Sequence, residues 1–183
     1  MTGWKPPSIE TERLLLRPLL NSDAEALFSY CSNPAVTQHV GWHHGTIEDS
    51  LSFIDYALGS YAKMAPDPWG LVLKENGDQI VGHVGCFWVK EPHSMEIGWI
   101  LAEKYWGQGL ATEASNAAIN FVFRERNIIR LQCTLSTEND ASRRVAEKLG
   151  MRFEGIHRCS EFVRGRFFDT AYYSILRSEW ESS

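Results

Sequence analysis

This sequence predicts an α+β (mixed α/β) fold: a single domain built on a mixed, mostly antiparallel twisted sheet of about seven strands, with helices on both faces. Three patterns carry that prediction. Residues 69–101 hold three apolar runs parted only by the short turns ENGD and KEPHS, which is the signature of an antiparallel meander. Residues 109–149 then switch to helix, strand, helix, a crossover that places helices against the sheet. Finally, 183 residues with 44% apolar content suffice for one core, so residues 1–183 are expected to form one domain with a loose lead over 1–8.

Taken in order, RLLLRPL (13–19) predicts the first strand, closed by Pro18. NSDAEALFSY (21–30) predicts a helix with Ser22 or Asp23 as its cap, and SNPAVTQHVGW after it predicts a loop. Thr46, Glu48 and Asp49 open a second helix whose face is marked by Leu51, Ile54, Leu58 and Tyr61, and MAPDPWG ends it. The meander strands are WGLVLK (69–74), QIVGHVGCFWV (79–89) and MEIGWIL (95–101). A helix from Gly109 to about Arg126 carries Leu110, Ala114, Ala117, Ala118, Phe121 and Val122 on one stripe. The strand RLQCTLS (130–136) follows. A short helix from about Asp140 then shows Ala141, Val145 and Leu149 on one side and stops at Gly150, the residue best suited to a left-handed cap. Strands around FEGIHRC and TAYYSILR complete the sheet.

Bulk properties narrow the function. A net charge of −5, from 23 acidic and 18 basic residues, argues against a nucleic-acid binder, and the cluster Arg124, Arg126, Arg130 reads as a solvated helix end. Cys31, Cys86, Cys133 and Cys159 show neither disulfide nor zinc spacing, so they are expected to be reduced thiols of a cytoplasmic protein. The start MTGWKPPSIE lacks a secretory-signal pattern, and no apolar run reaches the length of a membrane span. The adjacent His43 and His44 read as a polar loop rather than a metal site.

KYWGQGLATEA (104–114) is the most informative stretch. A strand end followed by Gly107 and Gly109 just before a helix exposes backbone N–H groups, and a helix N-terminus attracts an anion without lysine or arginine. Walker chemistry requires a lysine and a hydroxyl residue after the last glycine, where Leu110 and Ala111 stand. A dinucleotide fingerprint requires glycine at Thr112. A phosphorylated ligand at 107–112 and a tight turn that binds nothing both remain open.

The run EIGWILAEKYWGQGLATEA, with NDASRRVAEKLGMRFEG downstream, resembles the GNAT superfamily of N-acetyltransferases. The opening ETERLLLRPL and the closing GRFFDTAYYSILRSEW resemble its ribosomal-protein (Rim-like) N-terminal acetyltransferase branch. The likeness spans nearly all of residues 9–180. The family motif of Arg or Gln, two free positions, Gly, one free position, then Gly or Ala falls on Trp106, Gly109 and Ala111, so its first polar residue is replaced by tryptophan.

The resemblance implies acetyl-coenzyme A as co-substrate, with no metal. Its pyrophosphate would lie on the amides of Gly107, Gln108, Gly109, Leu110, Ala111 and Thr112. The fourth predicted strand would splay from the fifth, and the pantetheine arm would bond the free backbone of Trp99, Ile100 and Leu101. Asn139 would hold a pantetheine amide, with Ser142 near the sulfur.

Such a transfer needs a neutral amine, a donor for the tetrahedral oxyanion and a proton for the thiolate. A backbone N–H around Ile100 is expected to meet the oxyanion. Glu96, Glu161 and water relay all remain open as the base. Ser142 is the first candidate acid, with Tyr172 or Tyr173 as substitutes of which at most one faces the thioester. Arg143 and Arg144 either reach a coenzyme phosphate or are solvated. Trp42, Phe87 and Trp88 are candidates for the acceptor pocket. The expected acceptor is a protein or peptide α-amine, for which the Rim-like resemblance suggests a ribosomal protein N-terminus. A small-molecule or antibiotic amine, and a non-catalytic acyl-CoA sensor, stay open, as do monomer and homodimer.

Overall fold

Leu14 and Leu16 are fully buried while Leu15 and Arg17 between and beside them are only half-buried, the period-two pattern that makes a strand with one dry face. The computed structural model of the chain describes residues 5–62, 68–90 and 92–182. Within them the elements run β1 (Ile9–Glu10), β2 (Leu14–Pro18), α1 (Ala24–Cys31), α2 (Pro34–Thr37), α3 (Ile47–Ala62), β3 (Trp69–Leu73), β4 (Ile80–Lys90) and β5 (Ser94–Leu101). They continue α4 (Leu110–Glu125), β6 (Arg130–Ser136), α5 (Asp140–Lys148), β7 (Arg152–Val163), β8 (Arg166–Leu176) and α6 (Arg177–Trp180).

The eight strands form one sheet in the order β1-β2-β3-β4-β5-β6-β8-β7. Every neighbouring pair is antiparallel except β5 and β6, which run parallel across the α4 crossover. The eighth strand relative to the expected seven is the two-residue β1. One face is covered by α4 and α5, with Leu110, Ala114, Ala118, Val122 and Ala146 in its core. The opposite face is covered by α1 and α3, with Leu27, Ile54, Ala57 and Tyr61.

Several local expectations change. Asp23 does not cap α1 through its side chain, because its carboxylate accepts from both Arg17 guanidinium nitrogens (2.7 and 2.8 Å) and from the Leu20 N–H. The stretch expected to be loop contains α2, started by Asn33, whose side chain accepts from Ala35 N–H ahead of Pro34 at the first helical position. On α3 the buried line is Ser50, Ile54, Ala57 and Tyr61, whereas Leu51 is exposed. On α4, Ser115 and Ile119 belong to the buried stripe and Ala117 and Phe121 only flank it. Ala146 and Leu149, not Ala141, anchor α5, which stops before Gly150 at φ +75°. MAPDPWG lies largely outside the described residues, as does Glu91 in KEPHS.

His44 lies in the loop before α3 as expected but is buried there, with Nδ1 2.8 Å from Ser50 Oγ. His83 on β4 is buried beside it, 3.0 Å from the Tyr30 hydroxyl and ringed by Trp42 and Phe53. Burial, helped by His44, pushes the His83 imidazole down to about 3. The neutral ring costs nothing above the unfolded value near 6.5. Below it the unfolded chain binds a proton that the native chain refuses, so this part of the stability is lost as the pH falls from 6.5 toward 3. Between pH 7 and pH 5 the loss through this one group is expected to be about 2 kcal/mol. Denaturant unfolding at the two pH values checks it: His83→Phe should show a shallower acid loss than the wild type, and equal losses would refute the assignment.

Candidate active site

The parallel pairing of β5 with β6 covers only Ser94–Arg130, Met95–Leu131 and Glu96–Gln132. Beyond Glu96 the two strands part, and among the described residues the second half of β5 has no strand partner on that side. Glu96 stands at the fork. Its carboxylate accepts from Gln132 Nε2 (2.9 Å) and from Thr134 Oγ1 (2.7 Å), tying the two strands together where they diverge.

Register decides which backbone groups line the opening. Ala102 N–H donates to Val81 O, and bonded pairs alternate along an antiparallel ladder. The N–H and C=O of Ile100 therefore point to His83 on β4, and those of Trp99 and Leu101 point into the gap. The backbone donor expected around Ile100 thus moves to its neighbours. The Leu101 carbonyl already accepts from the Trp106 indole N–H at 2.9 Å. The tryptophan that departs from the family motif therefore pins the strand end to the glycine loop.

Gly107 and Gly109 both sit at positive φ, +74° and +79°, and Gly109 is the N-cap of α4. No side chain caps this helix, and its first backbone bond runs from Glu113 N–H to Gly109 O. The amides of Leu110, Ala111 and Thr112 precede that bond, so they face outward with the positive end of the helix dipole. Such a cradle fits a diphosphate, which needs close approach to backbone and no lysine.

At the N-terminus of α5, Asn139 is the cap, its Oδ1 accepting from Ser142 N–H at 3.0 Å. Its Nδ2 is left for another partner, and the Ser142 hydroxyl is free of capping duty. Arg143 is held by Asp140 (2.9 Å) and Glu147 (3.0 Å) on its own helix, which opposes a phosphate role. Tyr173 is buried on the α4–α5 face, where burial raises its hydroxyl. Tyr172 points the other way and stacks on His157.

On the α1–α3 face the gap opens into a cleft of about 180 Å3 lined by His39, Trp42, Thr134, Ser136, Glu161, Phe168 and Thr170. Glu161 lies not in a loop but on β7, paired with Phe168 just past a bulge that spans His157 to Glu161. Cys159 in that bulge takes φ +49°, its N–H held by Asp169 Oδ1. Bulges of this kind re-aim the residues beside a site. Phe87 is exposed opposite Glu96 on β4, and Trp88 packs into the α4-side core. A larger hollow of about 450 Å3 between β1 and α4 holds no part of the fork.

Thr134 joins both carboxylates, since it bonds Glu96 and lines the cleft with Glu161. Sequence reasoning missed His39 and the α1–α3 wall, because a lone histidine after a loop carries no periodic signal. Among the described residues no helix is long and apolar enough to cross a membrane.

The chain is similar to known proteins along most of its length. Residues 13–152 match the family described as acetyltransferase (GNAT) domain. The chain is 33% identical over 172 residues to the uncharacterized N-acetyltransferase YnaD of Bacillus subtilis, covering 94% of this chain and 98% of that one. The crystal structure of a GNAT-family acetyltransferase from Bacillus anthracis superposes with a TM-score of 0.86 at 32% identity, over 94% of this chain and all of that one. RimL, the ribosomal L7/L12 alpha-N-protein acetyltransferase solved in complex with coenzyme A, shares the fold at TM-score 0.83 and 21% identity, over 93% of this chain and 98% of that one.

Proposed function

Because the chain belongs to the GNAT acetyltransferase family, we propose that it moves an acetyl group from acetyl-coenzyme A to the α-amine of a protein or peptide N-terminus. The observation that carries this is the fork after Glu96 and Gln132, which joins the phosphate cradle on one face of the sheet to the acid-bearing cleft on the other. In this arrangement the glycine loop takes the diphosphate. Asn139 Nδ2, the backbone N–H and C=O of Trp99 and the Leu101 N–H align the pantetheine arm, the Leu101 carbonyl being taken by Trp106.

The acceptor enters from the cleft between Trp42 and Glu161. Glu161 takes the proton from the ammonium, directly or through one water, and the amine then adds to the thioester carbonyl. A β5 N–H in the gap donates to the oxyanion. When the C–S bond breaks, the Ser142 hydroxyl donates to the departing thiolate and recovers a proton from the acylated nitrogen, which leaves as the neutral amide. Glu96, with both oxygens already accepting, ties β5 to β6 at the root of the fork.

An α-amine is favoured on energy: its pKa near 7.8 against 10.4 for lysine makes deprotonation about 3.5 kcal/mol easier, within reach of a carboxylate on an open cleft. RimL, by its name, acts on such a group. A thiol-release assay with acetyl-coenzyme A tests the proposal on peptides with free N-termini, the same peptides N-acetylated but carrying lysine, and aminoglycosides. Release confined to free N-termini is expected. Preference for lysine or aminoglycoside sinks the acceptor assignment, and tight coenzyme binding without release on any amine sinks catalysis.

A further inference from the structure

The glycine loop is gripped by a residue from the far end of the chain. Arg13, just ahead of β2, donates from Nη1 to Gln108 O at 2.8 Å, inside the loop itself. Its Nε and Nη2 lie 2.7 and 2.6 Å from Glu113 Oε2, and its backbone N–H donates to Oε1 at 2.8 Å. Thr11 Oγ1 donates to the same Oε1 at 2.6 Å. A Cβ built on Gly109 would lie 3.6 Å from Arg13 Nη2, so the guanidinium sits against the glycine that caps α4.

Glu113 is the acidic residue of the first turn of α4. A carboxylate there suits the helix dipole but opposes a diphosphate arriving at the same amides. Burial pushes this carboxyl up, yet the hydrogen bonds from Thr11 and Arg13 outweigh it and hold it below the usual range, so the charge is present. Thr11 and the Arg13 backbone only fix that charge. The guanidinium alone cancels it.

We propose that Arg13 is a positioning residue for the coenzyme: it shapes the 107–109 loop through Gln108 and neutralises Glu113, so that the first amides of α4 present a net positive field to the phosphates. The proposal rests on the glycine loop being the diphosphate site. It differs from plain loop support in a measurable way, because removing the arginine does harm mainly by unmasking Glu113.

The test measures coenzyme A dissociation constants by calorimetry for wild type, Arg13→Lys, Arg13→Met, Glu113→Gln and the double variant Arg13→Met/Glu113→Gln, with steady-state kinetics alongside. Arg13→Met should weaken binding roughly ten-fold and raise KM for acetyl-coenzyme A, with kcat at saturation nearly unchanged. The double variant should bind better than Arg13→Met alone. Arg13→Lys, which keeps the charge but loses the fork to Gln108, should fall between Arg13→Met and wild type. Because the Arg13 side chain is 43% exposed, 0.5 M salt should narrow the gap between Arg13→Met and wild type.

Wild-type affinity in Arg13→Met, or a double variant as weak as Arg13→Met, overturns the proposal. If Arg13→Met fails to fold, Arg13→Gln, which also removes the charge, makes the same comparison with and without Glu113→Gln. A wild-type protein that binds no coenzyme A overturns the functional assignment and this one with it; coenzyme binding that ignores Arg13 overturns this one alone.

Discussion

Glu161→Gln is expected to lower kcat for peptide acetylation by about 10²-fold while leaving KM for acetyl-coenzyme A within about two-fold of wild type. The amide keeps the size of the side chain and its place on β7, so the bulge from His157 to Glu161 and its Asp169 anchor are not disturbed. It loses the capacity to take a proton. Glu161 is exposed at the mouth of the cleft and forms no ion pair among the described residues, as a group that receives protons from incoming ammonium requires.

Glu96→Gln should behave differently. A glutamine there can accept from Gln132 Nε2 and donate to Thr134 Oγ1 once that hydroxyl turns from donor to acceptor, so two charge-assisted bonds become two weaker neutral ones. The fork loosens, and KM for the coenzyme should rise together with a fall in kcat. Steady-state kinetics and a pH profile of kcat separate the two carboxylates. If Glu161→Gln keeps kcat within about three-fold of wild type and Glu96→Gln alone abolishes turnover, Glu96 is the base and Glu161 a wall of the cleft.

Much of this was legible in the sequence because it rests on short-range physics. The strand RLQCTLS and the glycine-led helix after Gly109 depend on local periodicity and on one special backbone position, and they appear where expected. What was not legible depends on register or on distant residues. Whether Ile100 or Trp99 turns its N–H into the gap depends on one hydrogen bond, Ala102 to Val81, that no pattern within MEIGWIL encodes. Glu161 falls between the strands expected around FEGIHRC and TAYYSILR because a bulge interrupts the alternation of β7 just before it. Asp23 reads as a helix cap until Arg17 is seen to occupy it. The Arg13–Glu113 clamp spans 100 residues and has no local trace. Trp106, by contrast, was visible as a departure from the family motif, and its bond to Leu101 gives that departure a structural role.

Gly109→Val is expected to weaken coenzyme A binding by at least about 30-fold and to leave the core assembled. Space is not the obstacle, since a new Cβ would meet only Arg13 Nη2 at an ordinary 3.6 Å. The backbone is. At φ +79° a β-branched residue is strained by about 1–2 kcal/mol or more, and the loop relieves that strain by rotating out of the left-handed region. Rotation at the N-cap swings the amides at 109–111 away from a common point, so the cradle loses the convergence that binds a diphosphate. Leu110 and Ala114, next along the helix and fully buried, hold α4 on the sheet, so the change stays local.

The expected result is therefore a drop in melting temperature of only a few degrees, an unchanged far-ultraviolet spectrum and a coenzyme affinity too weak to saturate. Gly109→Ala, strained but not branched, should lie between the two. Because the obstacle is conformational, Gly107→Ala at φ +74°, where a Cβ meets nothing within 4 Å, should also weaken binding although it touches nothing. Calorimetry on the three variants decides it: wild-type affinity in Gly109→Val would mean that the phosphates do not sit on this loop, and the fork after Glu96 would then need another donor.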